Sequence, residues 1–234
     1  MYACPILIGP STGHRRIFAQ IAYPLVREAQ IVPLVYTEAL DLAAWFPVVW
    51  QRTAESWRPV VLRTLRADGA AQPHGSPRAQ TSLPLCLRAY PFIAERASRE
   101  ALWIDDIPAD EPTNVGSAIL DERGFPTRGA EQRLHASYLF QAGLAGTERI
   151  TRFLAEREAF QPWPLELEVS DGNLQVEGLF VVDPALIESR AMKSFTLEFG
   201  VAGARMISAH AISLYRAATL FQRARQWSAQ ERAA

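Results

Sequence analysis

Leu165, Leu167 and Val169 alternate with Glu166, Glu168 and Ser170. A period of two puts the apolar side chains on one face of a strand and the polar ones on the other. Asp171 and Gly172 then supply a turn, and Leu174 and Val176 return on a second strand, with Leu179 beyond them. A two-stranded hairpin with one apolar face is not stable alone in water, so another layer must cover it. The chain carries such a cover near its end. Between about residues 202 and 227, Ile207, Ala211, Leu214, Ala218 and Phe221 recur at spacings of three and four, while Arg216, Arg223 and Arg225 lie elsewhere around the helix. That is the pattern of a long amphipathic helix laid on a sheet.

The rest of the chain agrees with a mixed architecture. Residues 31–36, "IVPLVY", are β-branched and read as a strand. Residues 37–46, "TEALDLAAWF", read as a helix that Pro47 ends, after which "VVW" resumes extended structure. "RPVVLRTLRADGA" reads as a strand running into an Asp68-Gly69 turn, and residues 67–82 as a loop rich in Gly, Pro and Ser. "ALWIDD" is a further strand, and Arg123-Gly124 a turn. From Gly129 to Phe160 the spacing is helical, with Gly143 and Gly146 predicted to separate two helices. Asp183 followed by Pro184 predicts a short helix with an aspartate cap. The expected fold is α+β: a single domain in which a mostly antiparallel β-sheet packs against a helical pair and a long C-terminal helix. Its expected limits are residues 13–227, after an irregular lead at 1–12 and before a tail at 228–234.

Composition excludes several function classes. The 234 residues are 49% hydrophobic and 21% charged, with a net charge of -1. No global field draws nucleic acid or an anionic membrane. Lys193 is the single lysine, and the arginines are scattered instead of converging on a phosphate site. Cys4 and Cys86 have no metal-ligand spacing and are expected to be reduced thiols. No apolar stretch reaches the roughly 20 residues of a membrane helix, and the first residues lack a basic leader. The expected location is therefore cytoplasmic, with no integral membrane segment, no nucleic acid, no metal and no cofactor.

No catalytic motif is complete. There is no G-x-S-x-G elbow, no phosphate loop and no dinucleotide fingerprint. Asp105, Asp106, Asp110 and Glu111 form an acidic cluster after Trp103, but adjacent aspartates on a strand point to opposite faces. His14, His74, His135 and His210 are not paired at ligand spacing. Of these, His210 stands out because it lies beside the apolar stripe of the last helix, where each ring nitrogen needs a partner. Aromatic residues at prolines predict that "FPVVW" or "YPFIA" forms an edge strand that receives a peptide. The candidate ligand-binding residues are thus Tyr90, Phe92, Trp103, Asp105, Asp106 and His210. None is assigned a catalytic role, and the expected partner is a protein or peptide.

The ordered strings "VPLVYTEALDLAAWFPVVW", "PVVLRTLRADG", "LPLCLRAYPFIAE", "WIDDIPADE" and "ILDERGFPT" resemble the SapC-like family. "QPWPLELEVSDGNLQVEGLFVVDPALI" and "MISAHAISLYRAATL" continue the resemblance, which spans about residues 13–222. Two departures stand out: the loop at 67–82 lacks the family's aromatic strand, and "SAHA" keeps His210 where the family has "YAHL". The resemblance implies a soluble, non-catalytic accessory or binding protein linked to bacterial surface-layer or peptide- and metabolite-processing pathways. The alternative it leaves open is an enzyme acting on a peptide or small metabolite through the carboxylates after Trp103 and His210.

Overall fold

The computed structural model describes residues 1–9, 12–54, 56–67, 69, 82–96, 101–110, 115–169, 172–187 and 189–231. Most of the 67–82 loop, with His74, falls outside the described residues, as do Glu111 and Asp171. Within the described residues strands and helices are mixed and the sheets are antiparallel, as the α+β reading expected. The chain divides into two compact units: Met1–Glu28 with His74–Ala142, and Ala29–Pro73 with Gly143–Ala234.

The first unit is built around a short strand, Trp103–Asp105. Pro5–Leu7 pairs with it antiparallel, Ile6 opposite Ile104. On its other side Phe92 bridges Ile104, the Ile93 amide donates to the Trp103 carbonyl at 2.9 Å, and the Asp105 amide donates to the Pro91 carbonyl at 2.9 Å. The expected irregular lead therefore contains a strand. Its partner is distant in sequence, and Pro5, Gly9 and Pro10 mask its local signal. A helical turn, Leu85–Ala89, ends at Tyr90, and the Tyr90–Pro91 peptide is cis. Phe92 lies in a core with Ile17, Ile104, Ile119, Ala130 and Leu134. Arg16–Ile17 pairs with Ser117–Ala118 beside it. Thr127 anchors the start of the Arg128–Ala155 helix: its hydroxyl donates to the Ala118 carbonyl at 2.7 Å.

The second unit holds a five-stranded antiparallel sheet. Its order is Ile31–Pro33, Trp57–Leu62, Val48–Arg52, Leu179–Val182 and Phe160–Pro162. The alternating hairpin forms as expected, Leu165–Val169 against Gly172–Val176, with Leu167 opposite Leu174. Leu165, Leu167 and Val176 turn inward to Val49, Val60, Leu62, Leu179 and Val181, and Leu220 and Ala224 close the cluster. Each fully buried leucine there contributes about 2 kcal/mol. The C-terminal helix thus covers the sheet, as the stripe implied. Its phase differs from the expected one, however. The helix breaks at Leu214 and Tyr215, giving Arg190–Ser213 and Arg216–Glu231. The buried stripe runs through Met206, His210, Ser213, Ala217, Leu220 and Ala224 at spacings of three and four, so Ala211 and Ala218 are exposed while Leu214 and Phe221 pack at its margin. Gly200, at φ 52°, kinks the first of these helices in a conformation that side chains rarely adopt. The Asp183 cap is present: its carboxylate accepts from the Ala185 amide at 2.9 Å, at the head of Pro184–Ile187.

The helical pair expected between Gly129 and Phe160 is a single continuous helix, Arg128–Ala155. Its glycines serve close approach, not a break. A Cβ at Gly143 would lie 2.7 Å from the Val35 Cβ, and one at Gly146 would lie 2.7 Å from the Tyr36 ring. Thr147 completes the seam, accepting from the Tyr36 amide at 2.9 Å and donating to the Gly143 carbonyl at 2.7 Å. Two effects oppose each other for Gly143→Ala. Helix propensity favours alanine by about 1 kcal/mol. The new methyl meets a branch-point carbon of buried Val35, which cannot swing aside, and such overpacking costs about 1–3 kcal/mol. We expect Gly143→Ala to lower the unfolding midpoint. A raised midpoint in thermal denaturation would show that propensity dominates and that the seam is loose.

Candidate functional site

Asp105 and Asp106 sit next to each other at the end of the Trp103–Asp105 strand, and the pleat sends them to opposite sides. Asp105 turns inward and is 3% exposed. Its Oδ1 accepts from the Ala3 amide at 3.1 Å and the Cys4 amide at 2.6 Å, and its Oδ2 accepts from the Tyr90 hydroxyl at 2.8 Å. A carboxylate buried in this way needs such donors. It uses them to tie the first residues and Tyr90 to the strand. Burial, reinforced by the bond to Asp105, holds the Tyr90 phenol well above its ordinary pKa, so it stays a donor.

Around Tyr90 the packing is aromatic. Tyr23 meets its ring edge-on at 4.9 Å, and Tyr2 stacks on it at 6.4 Å. Tyr2 accepts from the Ala94 amide at 3.2 Å, and burial raises its pKa as well. Arg133, from the Arg128–Ala155 helix, is 7% exposed. Its guanidinium donates to the Tyr90 carbonyl at 2.6 Å and to the Phe18 carbonyl, and lies 5.8 Å from the Tyr23 ring centre. Burial lowers its pKa from the usual guanidinium value. These are framework contacts: they fix the wall behind the site.

Asp106, which is partly buried, lines a cleft of about 590 Å³ contained in this unit, and the buried Asp105 belongs to the same lining. Phe18, Tyr23, Pro91, Ile104, Ile107 and Ile119 are its apolar lining residues, and His14, Arg15, Arg16, Asp105 and Asp106 its charged ones. Arg15 bonds Asp106 at 2.9 Å, with side chains 49% and 27% exposed. Arg16 donates to the Gly116 carbonyl. No serine, threonine, cysteine or lysine is among the described residues that line the cleft.

The other expected residues fall in different places. Tyr90 and Phe92 are buried at 0% and 1% exposure, inside the core and not on a surface. Trp103 is half-buried, with the Arg96 guanidinium 5.2 Å from its ring centre. "FPVVW" supplies no free edge, because Val48–Arg52 is an interior strand paired on both sides. His210 belongs to the second unit and is 1% exposed. The Val182 amide donates to its Nε2 at 3.1 Å, and its Nδ1 lies 2.7 Å from the Val48 carbonyl. Those partners require the neutral ring with the proton on Nδ1. Burial lowers its pKa to about 4. His14 and His135 are exposed, and Asp110 pairs with Arg27. Among the described residues, no three His, Cys, Asp or Glu side chains converge as a metal site. Cys4 and Cys86 form no disulfide.

Sequence reasoning reached Asp105 and Asp106 through the strand pattern. It missed Arg15, Tyr23 and Arg133, which carry no local signal and acquire their places through pairing of distant segments. No helix among the described residues is long and apolar enough to cross a membrane. The SapC family model matches residues 13–218, most of the chain. No curated protein and no solved structure matches it.

Proposed function

Because this chain belongs to the SapC family, we propose that it is a non-catalytic accessory or binding protein whose first-unit cleft takes a small ligand or a short peptide. The context that the family resemblance implies for it is a surface-layer or peptide- and metabolite-processing pathway. The observation that carries this reading is the division of labour at the Trp103–Asp105 strand. Both aspartates line the cleft, but Asp105 is committed to three framework hydrogen bonds while Asp106 keeps a partly exposed carboxylate beside Arg15, among apolar and charged lining residues. A volume of about 590 Å³ lies within the range of small-molecule sites, roughly 300–1,000 Å³. The same accounting disfavours an enzyme that uses Asp105 and His210. A general base needs a lone pair facing substrate, and both His210 ring nitrogens face backbone groups.

The test fills the cleft without disturbing the core. Ala109 lines it and is only partly buried. Tagged wild type and Ala109→Trp are purified from native extract, and co-eluting proteins and small molecules are identified by mass spectrometry. The expected result is a species retained by the wild type and lost from the variant. Identical retention by both, or turnover of a retained molecule by the wild type, would reject a binding role for this cleft.

A further inference from the structure

The helix Arg190–Ser213 buries one face in the second unit and leaves another bare. Met206, Ile207, Ala209, His210 and Ser213 point inward. Val201, Ala204, Ser208, Ile212 and, just past the helix end, Tyr215 recur at spacings of three and four and stay exposed. The large ones among them are well out in solvent: Val201 is 69% exposed, Ile212 50% and Tyr215 61%. Leu197, before the Gly200 kink, is 88% exposed. Single exposed apolar residues are ordinary, but a run of them on one face marks an interaction surface. The short helix Ala39–Ala43 packs against this one. Leu40 on it and Trp45 just after it are exposed as well, so the apolar surface is not confined to a single helix.

The order of residues and charges in the stripe points to its occupant. Ser208 is the midpoint: Val201 and Tyr215 lie seven positions either side of it, and Ala204 and Ile212 four. When a second copy crosses antiparallel about a two-fold axis at Ser208, each residue faces the one equally far beyond the axis. Ile212 then meets Ala204, a large side chain against a small one, and Tyr215 meets Val201. The charges agree. Arg205 is the only charged side chain between Val201 and Ser213, and it faces Ala211, which leaves it room. Glu198 stands beyond one end of the stripe and Arg216 beyond the other, so the acidic end of one copy meets the basic end of its partner, twice. Neither is tied down among the described residues. Glu198 keeps a long, exposed contact with Arg149 at 3.8 Å, and the Arg216 Nε has no hydrogen-bond partner. A parallel crossing would set Arg205 against Arg205 and Glu198 against Glu198. We infer that the exposed face of this helix is a homodimer interface, in which two copies cross antiparallel about a two-fold axis at Ser208. The inference is independent of the cleft, which lies in the first unit.

Sedimentation velocity of the full chain at about 100 μM, a concentration that populates even a weak complex, tests the interface. The wild type should sediment as a dimer. Ile212→Glu and Ala204→Glu, both at exposed positions, should keep the far-UV circular dichroism spectrum of the wild type and weaken association at least about tenfold, because each buries an unpaired charge at the contact. Cysteine cross-linking then tests the register. In a Cys4→Ser background, Ser208→Cys should give a disulfide-linked dimer on mild oxidation, since only a residue on the axis meets its own copy. Gln226→Cys, exposed but outside the stripe, should not. Glu198→Arg and Arg216→Glu should each weaken the dimer, and the two together should restore it to within about threefold of wild type. A monomeric wild type, a dimer that both glutamate variants leave intact, equal cross-linking at 208 and 226, or no rescue by the charge exchange overturns the assignment. A foreign protein captured from extract through this face by a chain that is itself monomeric overturns it as well.

Discussion

Asp105→Ala is expected to destabilise the protein by about 3–5 kcal/mol, while Asp105→Asn costs about 1–2 kcal/mol. The alanine variant strands three donors: the Ala3 and Cys4 amides and the Tyr90 hydroxyl. A buried donor left without a partner costs about 1–3 kcal/mol. The full sum does not apply, because Ala3 and Cys4 are exposed residues whose amides can recover water. Tyr90 cannot, being 0% exposed, and its ring is wedged against Tyr2 and Tyr23. Asparagine keeps the shape and one acceptor oxygen for the amides, and the Tyr90 hydroxyl can rotate to accept from the new amide group. It also removes a charge whose burial is costly. Urea denaturation of the two variants measures the gap. Equal destabilisation by Asn and Ala would mean that the negative charge, and not the set of three hydrogen bonds, holds the strand to the first residues.

Lowering the pH from 7 to 4 is expected to remove about 3 kcal/mol of stability through His210 alone. Its pKa falls from 6.5 to about 4 on folding because burial disfavours the charged ring. Above 6.5 the ring is neutral in both states and the effect is absent. Between 6.5 and 4 the unfolded chain takes up a proton that the folded chain refuses, so stability drops as the pH drops. Below about 4 both states are protonated and the loss is complete. The complete loss, about 2.5 pH units at about 1.4 kcal/mol each, is about 3.5 kcal/mol, of which about 3 has been reached at pH 4, where the folded ring is half protonated. The local cause is visible in the bonds: a proton on Nε2 would face the Val182 N–H donor, in a pocket where Trp50 lies edge-on at 5.0 Å. His210→Gln removes the titration. Its stability deficit relative to wild type, measured in urea across this range, should narrow as the pH falls. A deficit that stays constant would show that His210 titrates alike in both states.

Much of this architecture was legible where the signal was local. The hairpin at 165–176, the strand through Val60 and Val61 and the Asp183 cap all follow from neighbouring residues, because turns, caps and alternation act over a few positions. The glycines of the Arg128–Ala155 helix show why local reading failed elsewhere. In sequence, Gly143 and Gly146 weaken a helix, and a break is the natural inference. Their actual role depends on Val35 and Tyr36, which approach so closely that no side chain fits. The phase of the last helix failed for a related reason: two adjacent stripes are both spaced at three and four, and the one that faces inward, through Met206, His210, Ser213, Ala217, Leu220 and Ala224, includes His210 and Ser213, whose polar side chains find partners only in the folded unit.

The candidate site divides the same way. The sequence by itself determined that a sheet with one apolar face would be covered by the C-terminal helix, and that Asp105 and Asp106 would point apart. Both follow from the fixed periods of strand and helix. Only the tertiary structure decided which aspartate is buried and what each one meets. Asp105 finds Ala3, Cys4 and Tyr90, and Asp106 finds Arg15. Those neighbours come from distant segments brought together by pairing of Pro5–Leu7 with Trp103–Asp105 and of Arg16–Ile17 with Ser117–Ala118. Such pairing is selected by the packing of the whole core and not by the two or three residues that pair, so it leaves no mark in either segment alone.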